Sequence, residues 1–258
     1  LNVNFNAHLP IEYISSGVGL GFEYDVIGAY KNLSVRASYS YILDFGKSGK
    51  LSLGVAGRFL QKNLDGTKLL TPDGDYESGI NHNDPIVPVA NESGTSFSFD
   101  AAAYYKHKFF ELGIAAINLT QPTLQFATDA QVRYNRAYFL NASGTIKLND
   151  KFDLLPSFLL KTDFVKFQPE LALLLKWNDT VFGGVAYRGY DVLSTDAFVF
   201  IAGMQITPNL LLAYSYDLSI GSLNSYNSGS HEVVLNYNLN KKIGKEIPSK
   251  IIFNPRFL

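Results

Sequence analysis

The segment NLSVRASYSYILDF, residues 32–45, predicts a β-strand because apolar and polar side chains alternate along it. One face carries Leu33, Val35, Ala37, Tyr39, Tyr41 and Leu43, and the other carries Asn32, Ser34, Arg36, Ser38 and Ser40. A period of two residues is that of a strand, whereas a helix repeats every 3.6 residues. Residues 210–218 and 231–239 repeat the pattern, and helical periodicity is hard to find, so the sequence predicts an all-β protein.

The same alternation divides most of the chain into thirteen predicted strands. Their approximate spans are 1–9, 17–26, 32–45, 50–64, 94–106, 109–119, 131–147, 152–162, 167–177, 180–188, 197–206, 210–220 and 229–240. Each span has about 9–17 residues, whereas strands of globular proteins average about five or six. A strand that crosses a bilayer needs about 9–11 residues. The lengths therefore favour an antiparallel transmembrane β-barrel over a soluble β-sandwich.

The predicted connections alternate between short and long. The short ones are Gly46–Gly49, His107–Lys108, Leu148–Lys151, Asn178–Asp179 and Thr207–Asn209, and the long ones are Asp65–Ser93, Thr120–Ala130, Gly189–Asp196 and Gly221–Ser228. Two links break the rule, since Asp163–Lys166 is short on the long side and Pro10–Ser16 is long on the short side. Short periplasmic turns and longer extracellular loops are typical of outer-membrane barrels.

An odd number of strands is unusual for such a barrel, because bacterial single-chain barrels have an even number. We therefore expect a barrel of about 14 strands, of which 13 lie in this chain and the first lies upstream of Leu1. Both chain ends would then be periplasmic. Residues 1–240 are expected to form the N-terminally incomplete outer-membrane β-barrel, and residues 241–258 a periplasmic C-terminal tail.

The wetter face of the predicted strands is expected to line the barrel lumen. It carries charges of both signs, and the expected luminal network is Arg36, Arg58, Asp100, Glu170, Arg188, Asp217 and Glu232. Because an unpaired buried charge is costly, these groups should pair and leave a largely occluded interior. The other face carries apolar residues such as Leu20 and Leu173, with aromatic residues near strand ends, as expected for a lipid-facing surface.

Composition excludes several classes of protein. Lys and Arg total 22 against 23 Asp and Glu, so the electrostatic case for binding nucleic acid is missing. Cysteine is absent, which excludes disulfides and thiolate metal sites. The sequence has no apolar run of 18 residues, so no transmembrane helix is predicted.

Little in the sequence points to a catalytic, metal or cofactor site. The four histidines, His8, His82, His107 and His231, are scattered and do not form a metal-binding motif. The GxSxG motif of hydrolases is absent. Ser230, His231 and Glu232 are consecutive, and adjacent strand residues point to opposite faces, so they do not make a triad with one another. We expect neither enzymatic activity nor a cofactor.

The longest predicted loop is the best candidate for a contact surface, because loops on a rigid scaffold often carry binding. Its acidic residues Asp73, Asp75, Glu77 and Asp84 leave a calcium site open, although a solvated surface loop fits them better. The candidate partner-binding residues are Asp73, Asp75, Tyr76 and Asp84, with Tyr226 and Asn227 in the loop at 221–228.

Four segments resemble the PorP/SprF family, outer-membrane proteins of the Bacteroidetes type IX secretion system. They are GVGLGFEYD (17–25), KLSLGVAGRFLQKNL (50–64), LLPSFLLK (154–161) and ITPNLLLAYSYDLSIGSLNSYNSGSHEVVLNY (206–237). In the last segment a Tyr-Asp strand, an NSGSHE turn and the final strand follow the family's order. The family's Asn-Pro-rich start is absent here.

The resemblance implies a non-enzymatic role in the cell outer membrane. Such proteins assist export or surface anchoring of substrates that carry a type B C-terminal domain, including gliding adhesins, and meet translocon or periplasmic motor components. Whether this chain is a core secretion component or a cargo-specific anchor stays open. The alternative function is a passive transporter for small or hydrophobic solutes.

Overall fold

The computed structural model describes residues 1–127, 130–191, 194–220 and 229–240, most of which are in extended strands. The strands of this part are β1 (Asn2–Ile11), β2 (Ser16–Ile27), β3 (Tyr30–Asp44), β4 (Lys50–Asp65), β5 (Asn91–Lys106), β6 (Phe110–Ile117), β7 (Thr123–Gln125), β8 (Gln131–Arg133), β9 (Ala137–Gly144), β10 (Ile146–Lys147), β11 (Phe152–Thr162), β12 (Phe167–Trp177), β13 (Val181–Asp191), β14 (Ser194–Thr207), β15 (Leu210–Ser219) and β16 (Ser230–Tyr237). Single turns of 3-10 helix lie at Glu12–Ile14, Gly46–Ser48 and Gly66–Lys68. Among these described residues, no helix is both long and apolar enough to cross a membrane.

One antiparallel sheet of 14 strands dominates the fold. Its order is β1-β2-β3-β4-β5-β6-β9-β11-β12-β13-β14-β15-β16, with β10 paired to β11 beside this path, and β7 and β8 form a separate two-stranded sheet. The predicted all-β class is therefore confirmed. The thirteen strands along the path also agree with the number predicted for this chain, and β11 and β12 begin and end at the predicted residues.

The predicted strand 131–147 is wrong, because the chain there forms three separate strands. Residues 131–133 form β8, which pairs with β7. β7 itself lies inside the predicted loop Thr120–Ala130. The pairing of β9 with β11 ends at Ser143↔Ser157, and β10 resumes it at Ile146↔Leu154. Pro156 lies in the gap and has no N–H to donate, and the Thr145 N–H bonds instead to the Phe109 carbonyl oxygen at 3.0 Å.

The predicted long connection Gly189–Asp196 is also wrong. β13 and β14 continue to pair as far as Asp191↔Ser194, with register shifts on either side of Gly189. Such a bulge accommodates an extra residue without ending the pairing. The alternation of side chains is interrupted at this point of the sequence, so the local pattern predicts that the strand ends there.

The fold divides into two compact units. The first comprises Leu1–Ile42, Leu53–Ala102 and Ala116–Ala137, and the second comprises Leu43–Ser52, Ala103–Ala115 and the described residues from Tyr138 onward. In the first unit, Leu60 of β4 is buried, as are Leu124 and Phe126 of the segment that contains β7. A side chain at Gly94 of β5 would lie 2.8 Å from the Gln125 carbonyl oxygen, so β7 packs directly on the sheet at this glycine.

The second unit has an apolar cluster on one face of its strands. Its buried members are Leu174, Phe182, Ala186, Val199, Ile201, Leu211 and Ala213. They come from four neighbouring strands, β12 to β15, and occupy alternate positions along each strand. Glu170, Arg188 and Asp217 lie on the same face of these strands by alternation, and we call this face, and the face of the first unit that carries Arg58 and Asp100, the inner face.

The opposite face of both units is apolar and exposed. In the first unit Leu20, Val55 and Phe97 are exposed, and in the second unit Leu171 and Phe200 are exposed. Polar residues such as Ser98, Asp100 and Ser215 are buried instead. Large contiguous apolar surfaces are rare on soluble monomers and mark contact with lipid or protein. The distribution is therefore the inverse of that in a soluble globular domain.

Asp163 organises the turn between β11 and β12. Its carboxylate accepts hydrogen bonds from the backbone N–H groups of Lys166, at 2.7 Å, and Val165, at 3.0 Å. Both bonds favour the ionised carboxylate and hold the pKa of Asp163 below its ordinary value, the Lys166 bond being the stronger influence.

The Asp163 turn is expected to loosen in acid. Because the folded-state pKa lies below the unfolded one, the stabilisation is fully present above the unfolded pKa of about 4 and is lost as pH falls through the folded pKa. Hydrogen exchange at the Val165 and Lys166 amides, corrected for intrinsic rates, should therefore accelerate below about pH 4. In Asp163→Asn the protection should no longer depend on pH. A persistent acid transition in that variant would contradict the assignment.

Candidate functional site

A buried ion pair lies on the inner face of the first unit. Arg58 of β4 donates to the Asp100 Oδ2 atom from Nε, at 3.0 Å, and from Nη2, at 2.6 Å. The Asn118 backbone N–H donates to the other carboxylate oxygen at 3.0 Å. The Arg58 and Asp100 side chains are only 13% and 9% exposed. Asn118 adopts a φ of 55°, and the bond to Asp100 thus fixes the point where β6 ends.

A second charge cluster lies in the second unit. Arg188 of β13 donates from Nε to Glu170 of β12 at 3.1 Å and from Nη1 to Asp217 of β15 at 2.9 Å. Glu170 lies directly opposite Arg188 in the strand register, so their side chains share a face. One guanidinium therefore links three strands across the sheet, because its planar fork can bond two carboxylates at once.

The other two expected members of the luminal network are not brought into ion pairs within the described residues. Arg36 donates from Nη2 to the Asn6 Oδ1 atom at 3.2 Å. Glu232 lies opposite Ser215 in β16 and is exposed. Five of the seven expected residues thus form two clusters, Arg58–Asp100 and Glu170–Arg188–Asp217.

The loop between β4 and β5, residues 66–90, is folded around the buried His82. The His82 Nε2 atom lies 3.1 Å from the Gly66 carbonyl oxygen, and Nδ1 lies 3.0 Å from the Tyr76 hydroxyl. A carbonyl oxygen only accepts, so Nε2 carries the proton and Nδ1 accepts from Tyr76. The Tyr76 oxygen in turn accepts from the Thr71 N–H at 2.7 Å, and the Thr71 hydroxyl donates to the His82 carbonyl at 2.5 Å. We call this group, Gly66, Thr71, Tyr76 and His82, the loop lock.

Tyr76→Phe is expected to open the loop lock. It would leave the buried His82 Nδ1 atom and the Thr71 N–H without a partner, which costs about 1–3 kcal/mol. Limited proteolysis should therefore cut residues 66–90 faster in Tyr76→Phe than in the native chain. Tyr13→Phe, at an exposed tyrosine outside this loop, is the matched control. Equal cutting rates in the two variants would contradict the proposed role of the lock.

The folded loop presents acidic and apolar side chains to solvent. Asp73, Asp75 and Asp84 are exposed. Leu70 is 78% exposed and Ile86 59% exposed. The fourth candidate in this loop, Tyr76, belongs to the loop lock and uses its hydroxyl inside the loop. Tyr226 and Asn227, with the rest of loop 221–228 and the tail 241–258, lie outside the described residues.

Ser230, His231 and Glu232 are consecutive residues of β16, so alternation keeps His231 apart from its two neighbours. His231 lies in β16, where its Nδ1 atom is 2.6 Å from the Tyr214 hydroxyl, and the alternation of the strand directs Glu232 to the other face. Across residues 1–127, 130–191, 194–220 and 229–240, no three His, Asp or Glu side chains gather in a geometry that could hold a metal ion. Asp73, Asp75, Glu77 and Asp84 of loop 66–90 therefore form no such cluster.

The sequence model of a protein family, described as type IX secretion system membrane protein PorP/SprF, matches residues 2–237. The match covers nearly the whole chain. The chain belongs to the PorP/SprF family. No curated protein matches the chain. The resemblance carried by the four quoted segments is thus confirmed, and this PorP/SprF protein is a membrane component of the type IX secretion system.

Sequence reasoning missed one polar cluster on the inner face of this PorP/SprF protein. The Lys62 Nζ atom lies 4.9 Å from the Tyr30 ring centroid and 5.5 Å from that of Tyr134. Tyr134 follows β8, so this contact depends on how the segment after β6 folds back. Alternation places Lys62 and Tyr30 on the inner face, but no local signal in the sequence brings Tyr134 to them.

Proposed function

We propose that this PorP/SprF protein closes into an outer-membrane β-barrel that assists export or surface anchoring of substrates with a type B C-terminal domain, such as gliding adhesins. The observation that carries the proposal is the folded, exposed loop 66–90 on a sheet whose apolar face is turned outward. The family match to a type IX secretion system membrane protein supplies the process in which the loop would act.

The apolar outer face supports the membrane placement. Unpaired backbone groups are not tolerated in lipid, so only helices and closed sheets span a membrane. The chain has an antiparallel sheet with alternating exposed apolar and buried inner residues, which is the pattern of a barrel wall. The Bacteroidetes outer membrane is the location that the family resemblance favours.

The long loop is the proposed contact for the cargo. The loop lock holds its backbone in one arrangement, which lowers the entropy cost of binding. Exposed Leu70 and Ile86 supply apolar contact area, and Asp73, Asp75 and Asp84 supply charge around it. Such a mixture of an apolar centre and a polar rim is typical of protein interfaces.

The other end of the sheet carries the short turns and is proposed to face the periplasm. There the protein would meet the translocon or the periplasmic motor. Lys176 of β12 at this end bridges Asp153 of β11, at 3.2 Å, and Asp179 in the turn after β12, at 2.6 Å, so the two strand ends and this turn are tied together. The proposed barrel is non-enzymatic and needs no cofactor.

The test is to neutralise the loop without removing it. The variant carries Asp73→Asn, Asp75→Asn and Asp84→Asn in cells that display a type B substrate. We expect substrate to be released into the medium or retained inside the cell, measured by surface labelling and immunoblotting. Replacing residues 66–90 by a short Gly-Ser turn should give the larger effect.

Asp150→Asn is the matched control, since Asp150 is an exposed carboxylate in the turn that links β10 and β11, at the short-turn end. Heat-modifiable gel migration checks that every variant still assembles in the outer membrane. Unchanged surface display in both loop variants, with normal assembly, would refute the role of loop 66–90.

The alternative function, passive transport of small or hydrophobic solutes, has less support. Large apolar side chains pack against one another on the inner face of the second unit, and Glu170, Arg188 and Asp217 on that face are paired with one another. A water-filled channel would leave such side chains exposed. Solute uptake or conductance by the purified protein in liposomes would favour the transporter.

A further inference from the structure

A short hairpin lies on the inner face of the first unit, in the segment between β6 and β9. It comprises β7, β8 and their flanking residues, and its side chains alternate between buried and exposed. The buried ones include Pro122, Leu124 and Phe126, and the exposed ones are Thr123, Gln125, Gln131 and Arg133. Gly94 of β5 permits the close approach, because a side chain there would lie 2.8 Å from the Gln125 carbonyl oxygen. The hairpin therefore packs one face on the sheet and leaves a polar face exposed.

The outer edge of β8 is a free strand edge. Hydrogen bonds from the backbone N–H groups of Tyr134 and Phe126, each 2.9 Å long, close the two ends of its pairing with β7. Bonded and non-bonded positions alternate in an antiparallel pair, so Gln131 and Arg133 direct their backbone groups away from β7. Within the part of the chain that the structure describes, no strand pairs with this side of β8. Such an edge is a template on which another extended chain can add a strand.

Two exposed arginines lie at this edge and bond neutral acceptors. Arg133 donates from Nη2 to the Gln121 Oε1 atom at 2.7 Å, and Arg136 donates from Nε to the Leu119 carbonyl oxygen at 2.9 Å. Neither arginine makes an ion pair with a described residue. Each guanidinium uses a single N–H group in these bonds and keeps its other donors and its full charge. Both side chains are therefore held in place and ready to bind a carboxylate.

Hydrogen bonds fix the turn that holds the two arginines. The Gln121 N–H donates to the Asn118 carbonyl oxygen at 2.9 Å. The Nδ2 atom of the buried Asn118 donates to the Asn135 carbonyl oxygen at 3.3 Å, and the Thr120 hydroxyl lies 3.2 Å from the Ser98 hydroxyl of β5. The turn, the end of β8 and the sheet are thus joined to one another. An edge that is already ordered costs a ligand less entropy to bind.

We propose that the free edge of β8 binds an extended polypeptide segment that carries acidic side chains. The segment adds a strand to the hairpin by pairing its backbone with Gln131 and Arg133. One carboxylate then lies opposite Arg133 on the exposed face, as a cross-strand pair, and a second carboxylate reaches Arg136. A small anion would use the arginines and leave the strand edge unpaired. The proposal rests on the proposed function for the source of the segment, an exported substrate, whereas the binding itself is measured without cargo display.

Fluorescence anisotropy with the purified protein in detergent tests the site. The probe is a short labelled peptide in which valine alternates with glutamate, and a second peptide has glutamine in place of glutamate. We expect the glutamate peptide to bind at least about tenfold more tightly, which is the size of one charge-assisted hydrogen bond. Arg133→Gln and Arg136→Gln should each weaken its binding by about tenfold.

Arg36→Gln is the matched control for the two arginine variants. Arg36 belongs to the same unit and also bonds a neutral amide, but it lies in β3, which is paired with β2. This variant should bind the glutamate peptide as the native chain does. Heat-modifiable gel migration checks that all three variants still fold.

A third peptide tests the strand pairing without any change to the protein. Methyl groups on its backbone nitrogens remove the hydrogen-bond donors and leave the glutamates in place, so its binding should be at least about tenfold weaker. Undiminished binding of this peptide would overturn the added strand, even if an arginine variant fails to fold.

Three further outcomes would overturn the proposal. They are equal binding of the glutamate and glutamine peptides, native affinity in both arginine variants, and displacement of the probe by inorganic phosphate as effectively as by unlabelled peptide. The last outcome would assign the arginines to a small anion. Surface display of cargo is not part of the readout, so failure here and failure of the proposed function are distinguishable.

Discussion

Arg58→Met is expected to lower the free energy of unfolding by about 3–5 kcal/mol, because it leaves the Asp100 carboxylate buried without its cation. Arg58 and Asp100 are both nearly inaccessible, and two of the guanidinium N–H groups bond the same carboxylate oxygen. The measurement is urea unfolding of the protein refolded into lipid vesicles, followed by the gel shift of the folded form.

Arg58→Met combined with Asp100→Asn should recover most of the loss. In the native protein the Asn118 N–H donates to the Asp100 carboxylate at 3.0 Å. After Asp100→Asn the side-chain amide oxygen at position 100 still accepts this bond, and no charge remains buried. Arg36→Met is the control, since Arg36 makes a single hydrogen bond to Asn6 and should cost about 1 kcal/mol or less. If the double variant is as unstable as Arg58→Met, the loss does not come from the unpaired carboxylate.

Leu173→Arg should destabilise the protein in a bilayer by about 2–4 kcal/mol, the range for a cation at the middle of a lipid-facing barrel strand. Leu173 lies near the centre of β12, opposite Pro156 and Val185, and is 48% exposed. An exposed leucine that faced water would accept arginine with little change. The same vesicle unfolding experiment measures the difference.

Leu70→Arg is the matched control for Leu173→Arg. Leu70 is 78% exposed in loop 66–90, outside the strands, so its replacement should change the free energy of unfolding by less than about 0.5 kcal/mol. Equal costs at the two positions would mean that the outer face of β12 does not contact lipid.

Strand positions follow from local sequence, and this is why they are predicted well. β11 and β12 begin and end where alternation stops and turn residues such as Asp163 take over. The two errors arise where local pattern and pairing disagree. Pro156 lies in β11, which continues past it, whereas the neighbouring strand is divided there into β9 and β10. The bulge at Gly189 lets β13 and β14 continue to pair where the alternation of side chains is interrupted.

The candidate site is only partly predictable, because its contacts join distant residues. Alternation places Arg58 and Asp100 on the inner face, but their pairing depends on the register between β4 and β5. The burial of Leu124 depends on the absence of a side chain at Gly94, 30 positions earlier. The loop lock likewise combines residues that no spacing rule connects.

Trp177 offers the most direct test of the lipid-facing outer surface. It is the single tryptophan of the chain, lies at the last residue of β12 and is 48% exposed on the same face as Leu173 and Leu175. Its fluorescence is to be measured in vesicles whose lipids carry bromine at different depths. We expect strong quenching by bromines near the top of the acyl chains, as for an interfacial aromatic girdle. Emission that brominated lipid does not quench, and that aqueous iodide quenches freely, would contradict a lipid-facing outer surface.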